Sequence, residues 1–231
     1  IISFFWWLRS NYLKRKYDRE LQQQRLSSEL AEARLTALRA QMNPHFIFNA
    51  LNAIHDFIAN SDERSAHLYL GKFAKLIRKI LDQSRKQEIS LEEEISTLEL
   101  YMELEALRFP GRFKGYIDCP NELIEQDIHI PPMMVQPYVE NAIRHGLMNS
   151  DKDGTLEIHF EKDDFKLKVT VQDNGVGRKA AEEISSKRLK SHRSVAMEIT
   201  KNRVKLQNKA TAAALDNDII VTDLYDENQN P

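Results

Sequence analysis

Between Arg9 and Met42 the chain contains neither glycine nor proline. Apolar residues return at intervals of three to five positions, at Leu13, Tyr17, Leu21, Leu26, Leu30, Ala33 and Ala37, with Glu, Arg, Gln and Lys filling the gaps. That spacing predicts one long helix with a single apolar seam, closer to a coiled coil than to a globular surface. The five-residue step from Leu21 to Leu26 interrupts a strict heptad. A lone helix cannot bury such a seam, and a second copy of the chain is the simplest partner. A second helix is predicted over residues 64–85, with Leu68, Phe73, Leu76, Ile77 and Ile80 on its inner face and Asn60-Ser61-Asp62 as turn and cap before it. Ser90-Leu91-Glu92-Glu93 has the form of a capping box. It opens a third helical run, in which Leu91, Ile95, Leu98 and Met102 share a face. Phe109-Pro110-Gly111 breaks that run, and the domain boundary is expected there.

Beyond the break the period changes. Alternating or β-rich stretches occupy residues 113–118, 155–160, 165–172 and 219–223. A helical segment lies between the first two, and another, residues 195–208, between the last two. Asp163-Asp164 is expected to be a hairpin turn. The mixture predicts an α+β fold. No strand pattern follows the closing NQNP, so the C-terminus is expected to be cropped.

Composition narrows the class. With 231 residues, 42% of them hydrophobic and 29% charged, the chain can form one domain or two small ones. Its net charge of −2, from 33 cations and 35 anions, supplies no basic field for direct nucleic-acid binding. Cys119 is the only cysteine, which excludes an internal disulfide and a cysteine-based metal cluster, and fits a reducing cytoplasm. The opening IISFFWWL is too short to span a bilayer, which takes about 20 apolar residues. Trp6 and Trp7, followed by Arg9, Lys14, Arg15 and Lys16, give it the form of the inner end of a spanning helix, which would make the chain the cytoplasmic part of a longer membrane protein. The plainer alternative is the buried start of a soluble helix.

Three segments carry candidate chemistry. In LRAQMNPHFIFNALN (38–52), Pro44 removes a backbone donor and disfavours helix at Asn43, so His45 stands at an irregular point on a regular rod. Neutral imidazole has an unprotonated nitrogen and can act as a nucleophile near neutral pH. Alone, such a histidine reads more simply as a surface residue beside a kink. Asn49, one helical turn on, can hydrogen-bond near that ring, hold a water, or merely face solvent. VQPYVENAIRHGL (135–147) places Glu140 and Asn141 one turn before Arg144 and His145. In VQDNGVG (171–177) a strand ends at Asp173, and Gly175 and Gly177 permit positive φ or close approach of backbone to a ligand. No G-K-[ST] follows, so this is not a Walker A loop.

In this order the three segments resemble the LytS-type family of sensor histidine kinases, in which an NPHF[IL]FN phospho-acceptor box precedes a GHKL-type ATP-binding domain. The resemblance runs from about Leu38 to the end of the chain. It implies a helical dimerisation and acceptor hairpin over 38–109 and a GHKL α/β sandwich over 110–231, preceded by a coiled coil over 9–37 and the end of a membrane helix over 1–8. It implies ATP-dependent phosphorylation of His45 and transfer to an aspartate of a response regulator. Asn141 would be the Mg²⁺ ligand, since Mg²⁺ keeps several waters and needs few protein oxygens. Glu140 would position metal-bound water, Arg144 and His145 would lie toward the phosphates, and Asp173 would accept from the adenine amine. Thr200 and Arg203 match the family's lid segment, SHRSVAMEITKNRVKL (191–206). Two departures stand out: Phe46 follows the acceptor where an acidic residue is commoner, and Ala196 stands where the family has glycine. These keep open a second reading, a catalytically idle nucleotide-binding dimeric scaffold. A third, a chaperone- or topoisomerase-like ATPase, is disfavoured by the NPHF box.

Overall fold

A computed structural model of the chain describes residues 44–150, 152–163 and 166–187, together with Ile220, Thr222 and Leu224. The expected coiled coil over 9–37, the segment 1–8 and the helix expected over 195–208 lie outside the described residues. Of the strand expected at 219–223 only Ile220 and Thr222 are described, and neither is in a strand. The chain divides into two compact units, residues 1–49 and 50–231. No helix among the described residues is long and apolar enough to cross a membrane.

Helix α1 (Pro44–Ala59) is followed by a tight turn and α2 (Glu63–Gln83). The Asp62 side chain caps α2 by accepting from the Ser65 amide at 3.0 Å, which satisfies one orphan donor of the first turn. The buried face of α2 is Ala66, Tyr69, Leu76, Ile80 and Gln83, with Phe73 and Ile77 half-buried. Leu68, expected inside, is 47% exposed: the packed stripe passes through Tyr69 instead, whose ring lies 5.8 Å from that of Phe57. A two-residue strand, β1 (Ile89–Ser90), leads into α3 (Leu91–Arg108).

Helix α3 starts where the capping box predicts. The Ser90 hydroxyl accepts from the Glu93 amide at 3.1 Å, and the Glu93 carboxylate accepts from the Ser90 amide at 3.3 Å. Its seam of Leu91, Leu98 and Met102 is buried, with Ile95 half-buried. Leu100, Tyr101, Leu104, Glu94, Thr97 and Glu105 are buried as well, so α3 is a central helix with little solvent face. Helices α2 and α3 run antiparallel: Lys72 pairs with Glu103, Lys79 Nζ donates to Ser96 Oγ at 3.1 Å, and Gln83 Nε2 donates to Thr97 Oγ1 at 2.9 Å. Phe109 ends α3, and Gly111 turns the chain at φ 73°.

The sheet that follows has strand order β2 (Phe113–Asp118), β4 (Gly154–Asp163), β5 (Lys166–Asp173). Strands β2 and β4 are parallel from Phe113↔Gly154 to Asp118↔His159, whereas β4 and β5 form an antiparallel hairpin. Asp163, expected in the hairpin turn, is instead the last residue of β4 and pairs with Lys166; residue 164 lies outside the described residues. The parallel pair needs a crossover. That crossover holds α4 (Asn121–Glu125), β3 (His129–Ile130, antiparallel to β1) and α5 (Gln136–Asn141). Leu156, Ile158 and Phe160 of β4 alternate into the core, and Met102 of α3 packs over Gly115 of β2, where a Cβ would stand 2.8 Å from the Met102 sulfur. The described residues are therefore α+β.

The capping box predicts that Ser90→Ala lowers stability by about 1 kcal/mol, since one orphan amide of α3 loses its acceptor. Urea denaturation of the two proteins checks this.

Candidate functional site

The crossover segment changes helical type as it passes through the ENAIRHG motif. α5 begins after Val135, which offers no side-chain cap, and carries Pro137 in its first turn. At Ala142 it widens into a π turn, Ala142–Gly146, and closes in a 3₁₀ turn, Leu147–Asn149. π turns of this kind are uncommon and cluster at functional sites. Val139, Ala142, Ile143 and Leu147 bury one side, while Glu140, Asn141, Arg144 and His145 remain half-buried on the other. The end of the turn is held by Asn149, whose Nδ2 donates to the carbonyls of His145 at 2.9 Å and Arg144 at 3.3 Å.

The second motif is closed by its own side chains. Strand β5 ends at Asp173, whose Oδ1 accepts from the Gly175 amide at 3.0 Å. Asn174 ties the loop to the start of β4: its Oδ1 accepts from the Thr155 amide at 2.6 Å and its Nδ2 donates to the Asp153 carbonyl at 3.0 Å. Gly177 has φ 75° and opens α6 (Gly177–Lys187). Of the two glycines, only Gly177 uses the left-handed region. Gly175 serves close approach.

That approach joins the motifs. A Cβ on Gly175 would lie 2.3 Å from the carbonyl carbon of Gly146, and one on Gly146 would lie 2.3 Å from Asp173 Oδ1. The Val176 amide donates to the Gly146 carbonyl at 3.4 Å. The π turn and the loop after β5 therefore pack backbone on backbone, with the Asp173 carboxylate laid across the junction. Gly146, Asn149 and Asn174 were not expected to matter. Gly146 and Asn174 stood in plain view inside the motifs, whereas Asn149 had no local signal.

Charge around the turn is largely committed. Arg144 Nη1 donates to Glu140 Oε1 at 3.0 Å. Both act electrostatically on Tyr101 and Glu105 of α3. Burial, with Arg108 opposing and Glu140 reinforcing, holds the Glu105 carboxyl above its usual range. Burial and the Arg144 cation hold His145 below its usual range against Glu140, so its imidazole is neutral at pH 7. Asp173 keeps solvent access, yet the protein around it raises its carboxyl above the usual range, opposed by the Gly175 amide. The Asn141 amide makes no hydrogen bond among the described residues, and no group of three or more His, Cys, Asp or Glu side chains among them is arranged to hold a metal.

Of the expected site residues, Glu140, Asn141, Arg144, His145, Asp173, Gly175 and Gly177 fall on the two joined segments. His45 and Asn49 lie one turn apart in α1, within the other compact unit. Thr200, Arg203 and Ala196 lie outside the described residues.

Residues 33–113 match the family model described as "Histidine kinase". The sensor protein LytS of Oceanobacillus iheyensis is 34% identical over 157 residues, which is 68% of this chain and 26% of that protein. The sensor protein LytS of Staphylococcus haemolyticus is 36% identical over 163 residues, 68% of this chain and 27% of that protein. The sensor histidine kinase/phosphatase LytS of Staphylococcus aureus is 33% identical over 152 residues, 65% of this chain and 26% of that protein. The chain thus spans about a quarter of the length of the curated relatives it matches.

Two outcomes follow from the junction. Gly175→Ala, whose Cβ meets backbone, should destabilise by about 1–3 kcal/mol, and more than Gly146→Ala, whose Cβ meets a movable carboxylate; urea denaturation ranks them. Asp173 is the second case. Its folded carboxyl lies above the ordinary 3.8, so between these values the native state holds a proton that the unfolded state has lost. Its contribution to stability therefore falls as pH rises through that window. Asp173→Asn removes the dependence, so without nucleotide the variant should gain on the wild type across that window and be at least as stable at pH 7. Melts at a series of pH values check this.

Proposed function

We propose that this chain, which belongs to the LytS-type histidine kinase family, binds Mg²⁺-ATP between the ENAIRHG turn and the DNG loop and transfers the γ-phosphoryl group to His45. The observation that carries the reading is the contact of Gly146 with Gly175 and Asp173, in a chain that also holds an acceptor box. It sets a carboxylate beside a wide helical turn that directly follows Asn141, whose side-chain amide makes no hydrogen bond among the described residues. A single amide oxygen plus triphosphate oxygens fits Mg²⁺, which retains water. Bound there, the metal would neutralise charge on the phosphates.

The chain's own residues have separate tasks in this reading. Asp173 accepts from the exocyclic amine of adenine and so must be ionised when the nucleotide is in place. His145, neutral, donates to phosphate oxygen. Arg144 either leaves Glu140 to reach a phosphate or stays to hold Glu140 toward metal-bound water. Gly177, Thr200 and Arg203 complete the nucleotide cleft. The Nε2 or Nδ1 lone pair of His45 attacks the γ-phosphorus, the bond to the β-bridging oxygen breaks, and ADP leaves. Asn49, one turn along α1, orients that ring or a water. The phosphohistidine then passes its phosphoryl group to an aspartate of a response regulator.

This unit works as a homodimer, with α1 and α2 contributing to a helical bundle. The exposed apolar residues Phe48, Leu51 and Ile58 of α1 and Leu70 and Leu81 of α2 support that. The assignment of 38–109 to dimerisation and acceptor and of 110–231 to ATP binding, in a GHKL sandwich, belongs to the same reading. So does a bacterial membrane anchor ahead of the coiled coil.

His45→Gln should abolish acid-labile, base-stable label from γ-labelled ATP while leaving ATP affinity within about two- to threefold, a change of under 1 kcal/mol. Autoradiography after acid and base treatment, with calorimetry on the same variant, checks both halves. Undiminished label would move the acceptor elsewhere.

A further inference from the structure

Glu94 is the one acidic side chain of α3 that reaches across to the segment ahead of the ENAIRHG turn. It is 1% exposed, and its two carboxylate oxygens each accept a backbone amide: Oε2 from Met133 at 3.0 Å and Oε1 from Val135 at 3.1 Å. A buried carboxylate must be compensated, and charge-assisted bonds to backbone amides are among the stronger ways to do so. The segment it holds needs holding. Met133 has φ 58°, which is costly for a residue with a side chain, and Val135 precedes α5 without a side-chain cap of its own. Glu94 supplies from 39 and 41 residues away what a local cap would otherwise supply.

The clamp is one of three ties at the same place. Ile89 and Ser90 pair with Ile130 and His129, and the Leu91 amide donates to the Ile128 carbonyl at 2.9 Å. Glu94 extends that line of ties by one helical turn, to the residues where α5 starts. Asn141 is six residues beyond Val135, at the other end of α5. On its other side, α3 is bonded to α2 through Gln83, whose Nε2 donates to the Glu93 carbonyl at 3.2 Å and to Thr97.

From this placement we infer that Glu94 is a positioning residue: it sets the angle at which α5 enters the nucleotide site, and so the place of the Asn141 amide, and it passes displacement of the α2–α3 hairpin to that amide. The inference rests on the reading of Asn141 as the Mg²⁺ ligand. Asp173 and Gly175 reach the site from β5, independently of the clamp, so the adenine end of the site does not depend on Glu94.

The test is calorimetry of ATP binding to the full chain, in Mg²⁺ and in chelator, for the wild type, Glu94→Gln and Glu94→Asp. Glutamine has the same shape but presents an NH₂ group to one of the two amides; aspartate keeps the charge but is too short to reach both. Both variants should lose most of the gain in affinity that Mg²⁺ gives the wild type, by about tenfold, the scale of one charge-assisted hydrogen bond. Affinity in chelator should stay within about twofold of wild type. Glu103→Gln, at the exposed Lys72 pair on the same helix, should change neither. Melting curves accompany each variant, and if Glu94→Gln fails to melt cooperatively the aspartate variant carries the test. An unchanged Mg²⁺ gain overturns the inference and leaves the proposed site standing. Parallel loss of affinity with and without Mg²⁺ overturns it too, because it makes Glu94 a support of the fold only. A wild type that binds no nucleotide overturns both.

Discussion

Two stretches of backbone can lie against each other at Gly146 and Gly175 because neither residue carries a Cβ. Any side chain there would start 2.3–2.6 Å from an atom of the other segment or of Asp173. The crossover between β2 and β4 thereby ends against the loop that leaves β5, and the pairing of Leu156 with Asp173 sets the start of β4 beside the end of β5. The polar groups of the loop after β5 take their place from this contact. Asp173 lies across it, Val176 donates into it, and Asn174 anchors the loop from behind. Packing of this density leaves no slack for substitution at Gly175, where a Cβ would meet backbone.

The buried charge beneath the site follows a different logic. Glu94 is satisfied by two backbone amides, whereas Glu105 shares its surroundings with Tyr101, Arg108, Glu140 and Arg144. One carboxylate is fixed by geometry and the other is balanced by neighbours. Both stand on α3: Glu94 bonds the segment where α5 starts, and Glu105 feels the charge of Glu140 near the end of α5. Buried ionic groups of this sort seldom add much stability over an apolar core, and their value lies in specifying one arrangement.

What could be read from the sequence was what chemistry fixes locally. The Ser90 capping box, the β2 strand and the stop at Phe109-Pro110-Gly111 depend on residues within a turn or so of one another, and each stands where its pattern put it. The D-N-G loop was legible as a turn with unusual backbone freedom. Its partner glycine, Gly146, was not, because close approach of two segments leaves no trace in either alone. Leu68 was assigned inward on periodicity, and the larger aromatic at Tyr69 took the place instead. Asp163 was assigned to the hairpin turn and stands in β4, because its place is set by the cross-strand register, which no local pattern shows. Nothing local distinguishes Glu94 from the other acids that open α3. Its role depends on amides some forty residues away.

The π turn has a consequence for how the segment tolerates change. It is an α-helical stretch carrying one residue more than an α turn would hold, and each residue of an α-helix advances the path by about 100°. Relaxing Ala142–Gly146 to α geometry with all five residues in place would add that extra advance and swing Gly146 off the face that meets Gly175. Deleting one residue would instead let the stretch become α with Gly146 still near that face, because the wide turn is what absorbs the extra residue. The approach of Gly146 to Gly175 therefore acts as a catch on its own helix: losing it would cost nothing in chain length and would let the wide turn close.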